Sequence, residues 1–232
     1  MYLPLPGDYI DIHVHGGSPA SGVFILESLM AHEEKSPVAL AGVAYTYGIH
    51  PWFLNEGNCR QLLTSVENSV INPEIIAIGE AGFDRLRGPS MPIQRIAFEE
   101  QIAISEETEK PVVIHCVRAW DELLSVQKEL KPRMPWLVHG FRGNRELAGQ
   151  LIAKGMYLSF WFDFALRPES KELLRYLPIN RIFLETDGAE ADIRNIYFKV
   201  AKDLDIDVDD LKTSLLNNFK SFFNYDSLLT TG

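Results

Sequence analysis

Tyr9-Ile-Asp-Ile-His-Val-His15 is the stretch that decides the fold of this chain. In an extended strand alternate side chains share a face, so His13 and His15 point one way while Ile10, Ile12 and Val14 point the other. Two imidazoles on one face can hold one metal ion. Four more short apolar runs end in the same kind of residue: Ile75-Ile-Ala-Ile-Gly-Glu80, Val112-Val-Ile-His115, Trp136-Leu-Val-His139 and Ile182-Phe-Leu-Glu-Thr-Asp187. A single His in an apolar run is ordinarily a satisfied core residue. Ligand-type residues repeated at the ends of separate strands are harder to attribute to packing, because burying so many polar groups without partners is costly. Parallel α/β folds build their sites at the C-terminal ends of strands. The pattern therefore predicts a metal centre written across strand tips.

Longer amphipathic stretches separate these runs, the βαβα alternation of a parallel sheet covered by helices. Strands are expected at roughly 8–15, 23–29, 38–49, 74–80, 111–116, 135–140, 156–161 and 181–186, a set of eight that suggests a closed TIM-type (β/α)8 barrel. The 232 residues suit one compact barrel, and no repeat, low-complexity tract or linker marks a boundary, so a single domain over 1–232 is expected. Across 92–109, Ile93, Ile96, Ala97, Glu100 and Ile104 recur at helical spacing and predict a long outer helix. Further helices are expected near 59–69, 119–130, 144–154, 168–176, 192–203 and 208–223, several opened by Asn, Asp or Pro. The segment between the first and third strands is short for two full βα units. Val23-Phe-Ile-Leu-Glu-Ser-Leu29 is either a strand with almost no helix around it or a helix that costs the barrel a strand; its β-forming Val, Phe and Ile, preceded by Pro19 and Gly22, favour the strand.

Hydrophobic content of 46% and 23% charged residues are globular values. No apolar run approaches the ~20 residues of a membrane-spanning helix, and the start, Met1-Tyr-Leu-Pro-Leu-Pro-Gly7, lacks a basic segment followed by a long apolar one. A cytoplasmic protein without a membrane partner is expected. Cys59 and Cys116 fit a reducing compartment and lack the C-x-x-C spacing of a zinc cluster. Cys116, next to an inward residue, is expected to be a packed thiol, and His32 in Ala31-His-Glu-Glu-Lys35 a surface residue. A net charge of −10 argues against a surface that grips nucleic acid through many phosphates, since that needs clustered Lys and Arg. It does not exclude a phosphorylated substrate whose charge bound divalent cations would offset.

Taken in order, Asp11-Ile-His-Val-His15, Gly48-Ile-His-Pro51, Ile78-Gly-Glu-Ala-Gly-Phe-Asp84, Pro111-Val-Val-Ile-His115, His139-Gly-Phe-Arg-Gly143, Leu184-Glu-Thr-Asp187 and Asn217-Asn-Phe-Lys-Ser-Phe-Phe223 resemble the TatD family of metal-dependent hydrolases. That family consists of amidohydrolase-like TIM barrels that bind one or two divalent ions and act on phosphodiesters as deoxyribonucleases. The resemblance runs nearly end to end. It implies that His13 and His15 hold one ion together with Asp187, and that Glu80 bridges to a second ion held by His115 and His139. Imidazole suits Zn or Mn and carboxylate also suits Mg, so Mg, Mn and Zn are all compatible with the set. Water bound to such an ion ionises near neutrality and can attack phosphorus. Asp187 could accept its proton, making Asp187 and Glu80 the catalytic carboxylates. Asp11 either orients a ligand or fills a layer of the barrel. His50, in its Gly-Ile-His-Pro turn, is implied to contact substrate or leaving group, and Arg118 and Arg142, just past His115 and His139, could fork onto a phosphate.

Three segments depart from the family pattern. The usual Ser-Arg-Asp after His115 reads Cys116-Val117-Arg118, the usual Cys-Phe-Ser after His139 reads Gly140-Phe141-Arg142, and Gly188-Ala-Glu-Ala-Asp192 runs almost directly into a helix where a long loop is common. A compact variant with a shortened N-terminal region, acting on single-stranded DNA or a small phosphorylated molecule, is the expectation. Two other readings stay open: amidohydrolase-type hydrolysis of a small amide or lactone, and a non-catalytic metal-binding partner protein. Some amidohydrolases bridge their ions with a carbamylated Lys; here the equivalent strand ends in Glu80 with no Lys nearby, which favours the phosphoesterase, and the complete ligand set with Asp187 favours an enzyme.

Overall fold

The computed structural model describes residues 2–33 and 35–224; both ends of the expected 1–232 domain lie outside the described residues. Eight strands occur in one sheet in chain order: β1 (Tyr9–Val14), β2 (Val23–Met30), β3 (Val43–Gly48), β4 (Ile75–Asp84), β5 (Val112–Val117), β6 (Trp136–Val138), β7 (Tyr157–Trp161) and β8 (Ile182–Glu185). Strands β1–β2, β3–β4, β4–β5, β5–β6 and β7–β8 pair in parallel, and β8 lies beside β1. This is the strand order of a (β/α)8 barrel. Helices α1 (Cys59–Ser69), α2 (Met91–Thr108), α3 (Trp120–Leu130), α4 (Arg145–Ala153), α5 (Phe162–Ala165), α6 (Ser170–Tyr176), α7 (Ile193–Leu204) and α8 (Val208–Phe222) fill the connections. Val23–Met30 is a strand, the alternative its β-formers favoured, and among the described residues before β3 a three-residue 3-10 turn, Ala31–Glu33, is the only helical element that follows it.

The described residues divide into two compact units, one of residues 2–27, 39–44 and 139–224 and the other of residues 28–33, 35–38 and 45–138. In the first, α4, α7 and α8 open on Asn144, Asp192 and Asp207, whose side chains accept the backbone N–H of Leu147, Arg194 and Asp209 and so satisfy donors that the helix leaves unpaired. Leu211, Leu215, Leu216, Phe219 and Phe222 form the buried stripe of α8. Phe219 packs edge-on to Phe24 at 5.2 Å, and Phe222 to Tyr157 at 5.2 Å. Each such ring contributes roughly 1.5–3 kcal/mol on full burial.

The second unit packs α2 on β4 and β6, with Phe98 against Phe83 at 4.9 Å and Trp136 at 5.5 Å. The stripe expected on this helix is only partly the buried one: Ile96 is 56% exposed, while Gln94, Gln101 and Ser105 are buried with Ala97, Phe98, Ile102 and Ile104. The buried amides are satisfied by backbone. Gln101 accepts the Ile49 N–H at 2.7 Å, and Gln94 accepts the Asp84 N–H at 2.7 Å while donating to the Asp84 and Pro89 carbonyls. Periodicity scores Gln as polar and could not anticipate a face chosen to hold main chain. Around Glu80 the backbones come very close. A Cβ on Gly48 would lie 2.6 Å from Gly79 Cα, and one on Gly82, whose φ is +144°, only 2.0 Å from the His115 carbonyl oxygen.

Candidate metal centre

In the first unit β1 ends at Val14, which places His13 in the strand and His15 just beyond it. Their Nε2 atoms are 3.1 Å apart, and Asp187 Oδ1 stands 3.6 Å from the first and 3.5 Å from the second. Asp187 follows β8 in a left-handed conformation (φ +54°), its N–H donating to the His13 carbonyl at 3.0 Å, so the turn itself folds the carboxylate back over β1. A point equidistant from the three ligand atoms lies about 2 Å from each, the length of a bond from zinc or a similar ion to imidazole nitrogen or carboxylate oxygen. Two neutral rings and one carboxylate therefore fit a divalent cation in both chemistry and spacing.

His139 stands one residue past β6, its ring tilted by 32° against that of His13 with centroids 4.1 Å apart. Its Nδ1 faces Glu185 Oε1 at 3.5 Å, and Ser159 donates to the other oxygen of the same carboxylate. Burial works against the charge on Glu185, but His139, His13 and Ser159 outweigh it and hold the group below the usual carboxylate range. An Nδ1–H turned toward that carboxylate would leave Nε2 with its lone pair for a metal, the carboxylate–histidine–metal arrangement. Asp11 accepts both the N–H and the hydroxyl of Thr186, at 2.9 and 2.6 Å, and burial pushes its carboxyl up to about 7 against the pull of those bonds. Asp11 thus ties β1 to the Thr186-Asp187 turn. Trp161 donates to the Thr186 carbonyl at 3.1 Å, and Arg142 is stacked on the Trp161 ring at 3.7 Å.

The second unit repeats the device. His115 Nδ1 is 3.0 Å from Glu80 Oε1, and its Nε2 is 3.1 Å from Asp84 Oδ2. Asp84 is desolvated, which raises its pKa, yet the Trp52 indole N–H at 2.6 Å, His115 and the Leu86 N–H outweigh burial and keep it below the ordinary range. A proton held on the Asp84 side would leave the Nδ1 lone pair facing the Glu80 carboxylate, and an ion between them would then meet two ligand atoms 3.0 Å apart, so these two residues also fit an ion.

His50 completes this group of ligand-type atoms, its Nε2 3.2 Å from Glu80 Oε1. Its Nδ1 accepts the Trp52 N–H at 3.1 Å, which puts the ring proton on Nε2. His50 is therefore a hydrogen-bond donor here. Arg118 is exposed and left-handed (φ +52°), and among the described residues no hydrogen bond or ion pair holds its guanidinium. His32 is exposed as expected, though its ring is stacked on Phe53. Asp84 and Glu185, which face His115 and His139, carry no signal of that role in the sequence, although both lie inside the Ile78–Asp84 and Leu184–Asp187 motifs. Glu185 sits two residues before Asp187, and Asp84 four after Glu80.

A family model described as TatD related DNase matches residues 26–224. The chain belongs to the TatD-related DNase family. It is 35% identical over 148 residues to the 3'-5' ssDNA/RNA exonuclease TatD of Erwinia billingiae, an alignment covering 62% of this chain and 56% of that protein. The chain thus spans just over half the length of such relatives. Among solved structures it resembles a TatD homologue from Escherichia coli, with a TM-score of 0.75 at 20% identity, over 95% of this chain and 99% of that one. A TatD family hydrolase from Entamoeba histolytica gives a TM-score of 0.74 at 17% identity, over 94% and 98%. These likenesses show the (β/α)8 fold. No helix among the described residues is long and apolar enough to cross a membrane.

Proposed function

We propose that the chain is a divalent-metal-dependent phosphodiesterase acting on single-stranded nucleic acid. The observation that carries this reading is the His13, His15 and Asp187 triangle, three ligand atoms whose common centre falls at metal-bond length. Glu80 and His115 would hold a second ion, and His139, turned by Glu185, offers a further ligand nitrogen. Bound Mg, Mn or Zn would supply a nucleophilic water at neutral pH and charge neutralisation at the phosphate. Asp187, whose side chain is 27% exposed, accepts the proton released from the attacking water. His50, protonated at Nε2, donates to a substrate or leaving-group oxygen. Arg142 and Arg118 offer guanidinium groups to phosphate, Arg142 from a fixed plane on Trp161 and Arg118 from a free rim. The name of the Erwinia relative, a 3'-5' exonuclease of single-stranded DNA and RNA, supports the choice of substrate.

The test is a panel of single-stranded and duplex oligonucleotides, a phosphomonoester, and small amides and lactones, each with Mg, Mn or Zn. Metal-dependent release of nucleotides from the 3′ end of single strands is the expected result. Turnover of amides or lactones alone would replace the reading with amidohydrolase chemistry, and metal binding without turnover of anything would leave a binding protein.

A further inference from the structure

Beside the Glu80 and His115 pair, the second unit carries two stacked pairs that the chemistry above does not use. Trp52 and Phe53 occupy the turn after His50, and they are 38% and 43% exposed. Trp52 is anchored through its indole N–H to Asp84, the carboxylate that holds His115. The Arg87 guanidinium lies over the Trp52 ring at 3.7 Å. Arg85 and Arg95 nearby are neutralised by Asp121 and by Glu99 and Glu129, but no carboxylate among the described residues pairs with Arg87. An arginine held flat and unneutralised in a chain of net charge −10 is an isolated anion receptor. A cavity of about 290 Å3, lined by the 84–91 loop, opens beside it. Phe53 stacks on His32 with centroids 3.7 Å apart and planes within 18°, a backed aromatic ring rather than a floating one.

We infer that Arg87 on Trp52 and Phe53 on His32 form a nucleotide subsite, with Arg87 taking a backbone phosphate and Phe53 an unpaired base. The inference rests on the single-strand phosphodiesterase reading and adds the residues that would select such a strand. A cation fixed on an aromatic plane next to an exposed ring is what single-stranded nucleic acid binds: guanidinium to phosphate oxygens, ring to base face. A paired base has no free face to offer Phe53, so the subsite discriminates against duplex. The chemistry is local and needs no basic surface, which reconciles a nucleic-acid substrate with an acidic chain.

The test is fluorescence anisotropy of a labelled oligothymidylate with the full chain in chelator, so that binding is read without turnover. Phe53→Leu should weaken binding by about 5-fold or more, the loss typical of one base–aromatic stack, with no change in salt dependence. On an abasic strand of the same length Phe53→Leu should bind like wild type. Arg87→Gln should weaken binding to both strands and make the log–log salt slope shallower by about 0.7, one single-strand phosphate contact; Arg87→Lys should fall between. Arg133→Gln, which removes an exposed arginine paired with Glu106, controls for net charge and should change nothing. Wild-type binding by both Phe53→Leu and Arg87→Gln, or no binding of single strands by wild type, overturns the subsite. If the binding pattern holds but no phosphodiester is cut with any metal, the hydrolase reading fails and the subsite stands; if single strands are cut but the variants bind and cut as wild type does, the reverse is true.

Discussion

Asp187→Asn separates ligation from chemistry at the first metal group. Asparagine keeps an oxygen where Oδ1 stands, 3.5–3.6 Å from both imidazole nitrogens, but replaces the second oxygen with an amide that cannot accept a proton. The backbone should not object. Residue 187 has φ +54°, and asparagine is among the non-glycine residues most at ease there. The N–H bond to the His13 carbonyl is made by the main chain and survives. The metal-free variant should therefore melt within a degree or so of wild type, within the roughly ±0.5 kcal/mol of a benign substitution. Turnover should not survive. Loss of a general base costs about 10²–10⁴-fold, and the weaker ligand adds a loss that saturating metal can remove. The assay follows release from a labelled single-stranded oligonucleotide over a metal titration carried to saturation, with bound metal quantified in parallel. Wild-type turnover by Asp187→Asn at saturating metal would refute the proton-acceptor role and leave Asp187 a ligand only.

Chelation should abolish turnover but leave a cooperative thermal transition, since every candidate ligand is O or N and the core is large; calorimetry that showed the transition itself lost would instead mark a structural metal. Glu185→Gln removes the carboxylate that fixes the His139 tautomer, so metal affinity by titration calorimetry should weaken about 10–100-fold, and unchanged affinity would free His139 of that dependence. Gly82→Ala places a methyl 2.0 Å from the His115 carbonyl at φ +144°, and urea unfolding should show it destabilised by at least about 3 kcal/mol. Desolvation raises both half-buried thiols, Cys59 with help from Glu100 and Cys116 further, up to about 12, so the Cys116 thiolate is the scarcer at mildly alkaline pH; peptide mapping after brief alkylation should find Cys59 modified first, and the opposite order would contradict the stronger desolvation of Cys116.

Strand positions were legible because β-branched runs and the inward–outward alternation at His13 and His15 are properties of the chain alone, except that β4 runs on through Ala81-Gly-Phe-Asp84, so Glu80 lies inside the strand and not at its expected end. Seven helices fall where amphipathic spacing and caps put them, and α4, α7 and α8 do start at their Asn and Asp residues. The four-residue α5 was not anticipated, being too short to show a period. The buried face of α2 was misread because Gln94 and Gln101 are polar by composition but sit against backbone donors and acceptors that only the tertiary fold supplies. The same blindness hid Asp84 and Glu185. Each faces a ring nitrogen of a histidine from another part of the chain, a relation that no spacing in the sequence encodes.

His50 shows how far ligand geometry alone can mislead. By distance it belongs with Glu80 and His115 as a third metal ligand, and the residue types agree. The main chain decides otherwise, because Pro51 and Trp52 turn sharply enough to bring the Trp52 N–H onto Nδ1, and a neutral imidazole that accepts there carries its proton at Nε2. A protonated nitrogen cannot coordinate a cation but can donate to an anionic oxygen. With the His115 proton on its Asp84 side, the Gly-Ile-His-Pro turn and the His115 strand bring two histidines to one carboxylate in the same Nε2–H tautomer but through different nitrogens, His50 by its N–H and His115 by its Nδ1 lone pair. Asp84 makes His115 an acceptor of metal, the Trp52 amide makes His50 a donor to substrate, and Trp52 serves both by bonding each partner from a different nitrogen. Trp52→Phe would keep the backbone amide and lose only the indole bond to Asp84, so it should disturb His115 and metal affinity while leaving His50 oriented.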